Sequence, residues 1–120
     1  MTIQLPELNE GETYIATLFD AATQQGHHII LLAGDNDDAE WQAQMDWAKS
    51  IGGDLPSRVE QSLLFAKHKD LFQRDAYWSN EQHASDSDYA WGQNFSLGYQ
   101  GTYGTTSKLR ARAVRRLIIQ

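Results

Sequence analysis

The chain has 120 residues, 41% of them hydrophobic and 22% charged, with a net charge of −6 and no cysteine. That length fits one domain around a single core. The missing cysteines exclude disulfides, a thiolate nucleophile and Cys-ligated zinc, and the acidic balance argues against nucleic acid as the main partner.

No apolar run approaches the roughly 20 residues that cross a bilayer, so no membrane insertion is expected. The longest, Ile29 to Ala33, is strand-sized. The start, Met1-Thr2-Ile3-Gln4, shows no basic-then-apolar secretory signal. The expectation is synthesis in the cytoplasm, which a virion component shares.

Residues 1–11 read as a loose lead-in. From Glu12 the chain alternates, with Tyr14, Ala16 and Leu18 on one face and Thr13, Ile15, Thr17 and Phe19 on the other, which predicts a strand. Gln24-Gln25-Gly26 supplies a turn, and His27 to Ala33 a second strand ended by Gly34-Asp35-Asn36-Asp37.

A helix follows, with Trp41, Met45 and Ala48 on one stripe and Ala43, Trp47 and Ile51 beside it. Asp37, Asp38 and Glu40 fall at its expected start, where the helix dipole favours acids. Gly52-Gly53 ends it. Ser57-Arg58-Val59-Glu60 has the spacing of a capping box and opens a second helix, with Val59, Leu63, Leu64, Ala66 and Leu71 expected on its buried side.

From Tyr77 the pattern is strand and loop. Tyr77-Trp78-Ser79 reads as a short strand, Glu81 to Asp88 as a polar loop, and Tyr89 to Phe95 as a strand. Gly98 to Ser107 holds three glycines, two tyrosines and three threonines, a long hairpin or an ordered loop. Leu109 to Ile119 is the final strand. Helices and strands segregate along the chain, which predicts α+β with antiparallel sheets. The first and last strands are natural partners.

The run Trp47-Ala48-Lys49-Ser50-Ile51-Gly52-Gly53-Asp54-Leu55-Pro56-Ser57, followed by Glu60 and Leu63-Leu64-Phe65, carries a resemblance. It resembles the W-A-x-x-x-G-G-x-L-P-[ST]-x-x-E core of a domain of unknown function common in phages and prophages. That domain also forms the C-terminal part of Legionella collagen-like adhesins. Tyr77-Trp78-Ser79, Tyr89-Ala90-Trp91 and Arg110 to Arg116 continue the likeness, which spans about Trp47 to Leu117. The resemblance implies a C-type lectin-like fold: paired ends, two helices flanking the sheets, and a ligand site on loops before the last strand. In phage receptor-binding proteins of that fold, variable residues lie in a segment placed like Trp78 to Thr106 here.

The candidate site is therefore the surface of Gln93, Asn94, Tyr99, Gln100, Thr102, Tyr103, Thr105 and Thr106, with Trp91 open between ligand contact and core. Tyrosine offers wide contact at low entropic cost, and Asn, Gln and Thr add adaptable hydrogen bonds. The competing account is a solvated hairpin whose glycines serve turns. Asp35, Asp37, Asp38 and Glu40, and Asp86 with Asp88, lack the ligand number and spacing of a calcium loop. His27 and His28 are adjacent in a strand and face opposite ways, which disfavours chelation. Arg110 and Arg112 share a face and are expected to pair with carboxylates or carbonyls, bracing the candidate loop.

The sequence thus predicts a single C-type lectin-like domain over 1–120 that binds a protein or glycan, with no metal, no cofactor and no catalysis. The alternative is a structural or assembly role in a phage particle, or docking on a host protein. Self-association into a homo-oligomer is left open.

Overall fold

The computed structural model describes residues 3–119. Its architecture is α+β, two helices with two sheets. Strands β1 (Thr13–Asp20) and β2 (Gln25–Leu31) form a hairpin, and β3 (Asn36–Ala39) precedes helix α1 (Trp41–Ser50). Helix α2 (Arg58–His68) leads through a short 3-10 turn into β4 (Ala76–His83) and β5 (Asp86–Asn94). Strands β6 (Gln100–Gly104), β7 (Leu109–Ala111) and β8 (Val114–Ile118) complete the chain. One sheet runs β1-β2-β8 and the other β3-β7-β4-β5-β6.

Several expectations are corrected. The first and last strands share a sheet, but β8 pairs with β2, which lies between them. Leu109 to Ile119 is not one strand: the chain turns at Arg112-Ala113 and passes from one sheet to the other. Arg112 fixes that turn by donating to the Leu71 and Leu32 carbonyls at 2.7 and 2.8 Å. The polar stretch Glu81 to Asp88 is mostly strand, forming the tip of the β4–β5 hairpin around Ala84-Ser85. Asp37 and Asp38 lie on β3 rather than in the first turn of α1, which begins after Glu40. The pairing is antiparallel except between β4 and β7, which meet in parallel at Tyr77 and Arg110.

Alternation in β1 breaks at a bulge between Tyr14 and Ala16. The extra residue turns Tyr14 and Thr17 to one face, where the Tyr14 hydroxyl meets His28 Nδ1 at 2.7 Å. Ile15 is released into the core with Ile29, Leu31, Leu64, Tyr77, Phe95 and Val114. This cluster joins the three-stranded sheet to α2. A second cluster, around Trp78, Trp41, Ala48, Leu55 and Ala111, joins α1 to the five-stranded sheet. Both buried indoles find carbonyl partners, Trp41 on Ser79 at 2.8 Å and Trp78 on Ala39 at 2.9 Å.

The helix ends follow their sequence. Ser57 and Glu60 form the reciprocal capping box, with Ser57 Oγ accepting from the Glu60 amide and Glu60 Oε1 accepting from the Ser57 amide. Gly52 takes the left-handed conformation after α1, at φ +88. The buried side of α2 differs from expectation: Val59 is 60% exposed and Ala66 is exposed, while Glu60 and Gln61 are buried beside Leu64. Glu60 is held by Arg116 and the Ser57 amide, and Gln61 Nε2 donates to the Tyr77 and Trp78 carbonyls, so both occupy the helix face that pattern reasoning assigns to apolar residues.

Gly53 has no room for a side chain. A Cβ there would stand 2.6 Å from the Val114 carbonyl and 2.7 Å from Leu32 Cδ1. The neighbouring Asp54 exchanges backbone hydrogen bonds of 2.8 Å with Val114, so this approach anchors the chain beside the last strand. Gly53→Ala is expected to cost about 1–3 kcal/mol through overpacking. Urea denaturation checks it; a loss within experimental error would show that Val114 yields freely.

Candidate functional site

The period of two in a strand decides where the candidate residues point. Registered pairs such as Trp91 with Thr102 and Gln93 with Gln100 direct side chains toward α2. Ala90 and Tyr103 point the other way, toward α1. The single rim expected from sequence is therefore divided between two faces.

On the α2 side, Trp91 is half-buried and carries the Arg58 guanidinium above its ring, 3.4 Å from the centroid. Such stacking suits a planar, weakly hydrated cation. The His83 ring lies parallel to the indole, offset at 6.4 Å between centroids. Gln100 holds the arrangement in place: its Oε1 accepts from Arg58 Nε at 3.1 Å, and its Nε2 donates to the Arg58 carbonyl at 2.7 Å. Glu81 accepts from the Arg58 amide at 2.8 Å, satisfying an open donor at the start of α2. Arg58, Val59, Ser62, Glu81 and Gln100 line a groove of about 280 Å³. Tyr89, 44% exposed, and the exposed Thr102 extend the same face beyond Trp91.

A second cleft, of about 290 Å³, lies at the start of α1. Glu40, Trp41, Gln42, Gln82, Ser87, Thr105 and Thr106 line it. Thr105 fastens the cleft by backbone contacts, donating to the Asp88 carbonyl and accepting from the Trp41 amide. Each cleft contains one carboxylate and no histidine.

Three candidate residues serve the scaffold instead of the surface. Gln93 is 1% exposed and donates to the Asn94 and Tyr99 carbonyls, so it closes the turn from inside. Asn94 caps that turn, its Oδ1 accepting from the amides of Ser96 and Leu97 at 2.8 and 2.7 Å. Tyr103 packs edge-on against Trp78 at 6.1 Å, and burial pushes its hydroxyl up to about 12. Tyr99 stands at the turn, half exposed.

The basic end of the chain pairs internally. Arg110 bridges Asp35 at 2.8 Å and Asp37 at 3.3 Å, Arg115 bridges Glu12 at 2.9 Å, and Arg116 bridges Asp54 and Glu60. None of these contacts touches the 93–107 segment, so the expected bracing by Arg110 and Arg112 is replaced by contacts to Asp35, Asp37, Leu71 and Leu32. Among the described residues, no group of three or more His, Asp or Glu gathers to hold a metal, and no helix is long and apolar enough to cross a membrane.

Sequence reasoning missed Arg58, Val59, Ser62 and Glu81. Their helix and strand positions carry no local sign of proximity to Trp91. The capping box located Arg58 at the first turn of α2, and only the packing of α2 on the sheet brings it over the indole. No family model matches the chain, and no curated protein matches its sequence.

Proposed function

We propose that the chain is a binding module whose ligand, a protein or a glycan, sits on the α2-side face of β5 and β6. The observation that carries this reading is the Arg58–Trp91 stack beside a polar groove, with Tyr89 and Thr102 exposed on the same face. A rigid aromatic flanked by hydrogen-bonding groups suits recognition, since it offers contact area without ordering long side chains. Recognition is favoured over catalysis because neither cleft sets two carboxylates, or a carboxylate and a histidine, together for proton transfer. The resemblance from Trp47 to Leu117 supports placing the module in a phage or prophage, with the C-type lectin-like architecture as its scaffold.

The test is a glycan array together with an array of bacterial surface proteins, probed with wild type, Tyr89→Ala and Arg58→Ala. Truncating an anchor of this kind costs about 2 kcal/mol, roughly a thirtyfold loss of affinity. Both variants are expected to keep the wild-type melting temperature within a few degrees. Binding that survives both changes unaltered would remove this face from the reading.

A further inference from the structure

Among the described residues the two sheets end on β1, β8, β3 and β6, and of these β8 is covered at Val114 by its backbone bridge to Asp54. An open edge invites pairing with another strand unless charge, proline or a bulge blunts it. Strand β1 is bulged at Tyr14–Ala16 and ends on Asp20. Strand β3 is irregular in register and carries Asp37 and Asp38. Strand β8 carries Arg115 and Arg116. Strand β6, Gln100-Gly101-Thr102-Tyr103-Gly104, has no charge and no proline, and its register on β5 is unbroken.

The direction of its free groups follows from that register. The Asn94 amide donates to the Tyr99 carbonyl and the Thr105 amide to the Asp88 carbonyl. Residues 99 and 105 therefore exchange hydrogen bonds with β5, and in an antiparallel ladder so do 101 and 103. Gln100 and Thr102 turn their N–H and C=O groups outward, and Gly104 its N–H, while the Gly104 carbonyl accepts from the Ser107 amide at 2.8 Å. Thr102 stands at the centre of this set with donor and acceptor both free, and the Gly104 N–H and Gln100 C=O lie one step to either side. That is the condition for a strand to pair with its own copy across a two-fold axis.

We propose that a second copy of the chain adds to this edge, β6 against β6, antiparallel and centred on Thr102. In that register Thr102 exchanges two hydrogen bonds with its counterpart, and on each side the Gly104 N–H donates to the Gln100 carbonyl of the other copy, the Gly104 carbonyl staying with Ser107. Tyr103 then lies opposite Gly101, where a ring fits over a residue without a side chain. The two five-stranded sheets become one continuous sheet. Side chains of directly opposed residues project to the same face, so both Trp91–Arg58 platforms look the same way, an arrangement that supports bivalent capture. The proposal does not depend on the ligand reading, because it rests on backbone groups alone.

A five-residue edge buries less than the roughly 1,200 Å² of a tight interface, which places the association in a concentration-dependent range. Sedimentation equilibrium from about 1 µM to about 1 mM is expected to show the mass rising from 13.6 kDa toward twice that value. Hydrogen exchange at the Gln100 and Thr102 amides should slow over the same range. Thr102→Pro removes the central outward donor without touching the β5 ladder, and Thr102→Lys places a charge on the edge while keeping every backbone group. Each is expected to weaken self-association at least about tenfold, with circular dichroism confirming the fold; if the proline variant unfolds, the lysine variant decides. A monomer throughout the range, or a dimer untouched by Thr102→Lys, overturns the proposal.

Discussion

Glu60→Ala is expected to cost about 3–5 kcal/mol, the range for removing one partner of a buried ion pair. Glu60 is 2% exposed and receives Arg116 in bidentate fashion, at 2.7 Å on each oxygen. Arg116 also donates to Asp54 at 2.8 Å and to the Leu55 carbonyl at 3.1 Å. His27 Nε2 stands 3.6 Å from the same carboxylate. The substitution strips a charge from this network and a capping contact from α2 together. For a domain of this size the loss corresponds to roughly 10–20 °C in melting temperature. Replacing both Glu60 and Arg116 with Leu should recover much of it, because an apolar pair carries no desolvation cost. A single-variant loss below about 1 kcal/mol would show the pair to be solvent-screened.

The same network sets an acid limit on stability. Burial pushes the Glu60 carboxyl up, but the Arg116 hydrogen bonds and the Ser57 amide outweigh it and hold the group below its ordinary value of 4.5. Glu12 is also held low, chiefly by its hydrogen bond with Arg115. A carboxylate depressed in the folded state stabilises fully above its unfolded value, and that contribution disappears as pH falls through the folded one. Stability should therefore decline as pH drops below about 4.5, and the decline should be shallower in the Glu60-Arg116 double-leucine variant.

Gln44→Leu should cost about 3 kcal/mol or more, although leucine has nearly the volume of glutamine. Gln44 is fully buried in α1. Its Nε2 donates to the Asp37 carbonyl at 2.8 Å and the Leu109 carbonyl at 3.0 Å, and its Oε1 accepts from Asn36 Nδ2 at 2.8 Å. The amide thus ties the helix to β3 and β7 at once. Leucine fills the space and leaves three polar groups without this partner. The buried Leu109 carbonyl is worth about 1–3 kcal/mol when orphaned, and the part-buried Asp37 carbonyl and Asn36 amide are worth less each. Guanidinium denaturation gives the energy, and hydrogen exchange gives its location: β3 and β7 should open first. A near-neutral result would mean that water reaches those carbonyls.

What was legible in the sequence was mostly local. The capping box at Ser57–Glu60, the terminating Gly52 and the β1–β2 hairpin depend on neighbours a few residues apart, and each stands close to where the pattern placed it. The β4–β5 hairpin tip was hidden because its residues are polar on both faces, so no alternation survives there. The break at Arg112-Ala113 was hidden for the opposite reason, since the alternation from Leu109 to Ala113 continues through the turn. For the candidate site, composition named Trp91, Gln100 and Thr102, which the register puts on one face, but ran both strand faces together, adding Tyr103 from the other face and the buried Gln93 beside the exposed Thr102. Arg58 reaches Trp91 from 33 positions earlier, a distance at which a single sequence gives no pairing signal.

The passage of the chain between sheets at Arg112-Ala113 has a consequence for synthesis. Strand β7 fills the slot between β3 and β4, and β8 completes the sheet begun by β1 and β2. Neither layer can close on a nascent chain until residues 109–118 have left the ribosome, so both must zip shut late and together. Until that moment Ile29, Leu31 and Trp78, fully enclosed in the finished molecule, stay open to whatever else the cell presents.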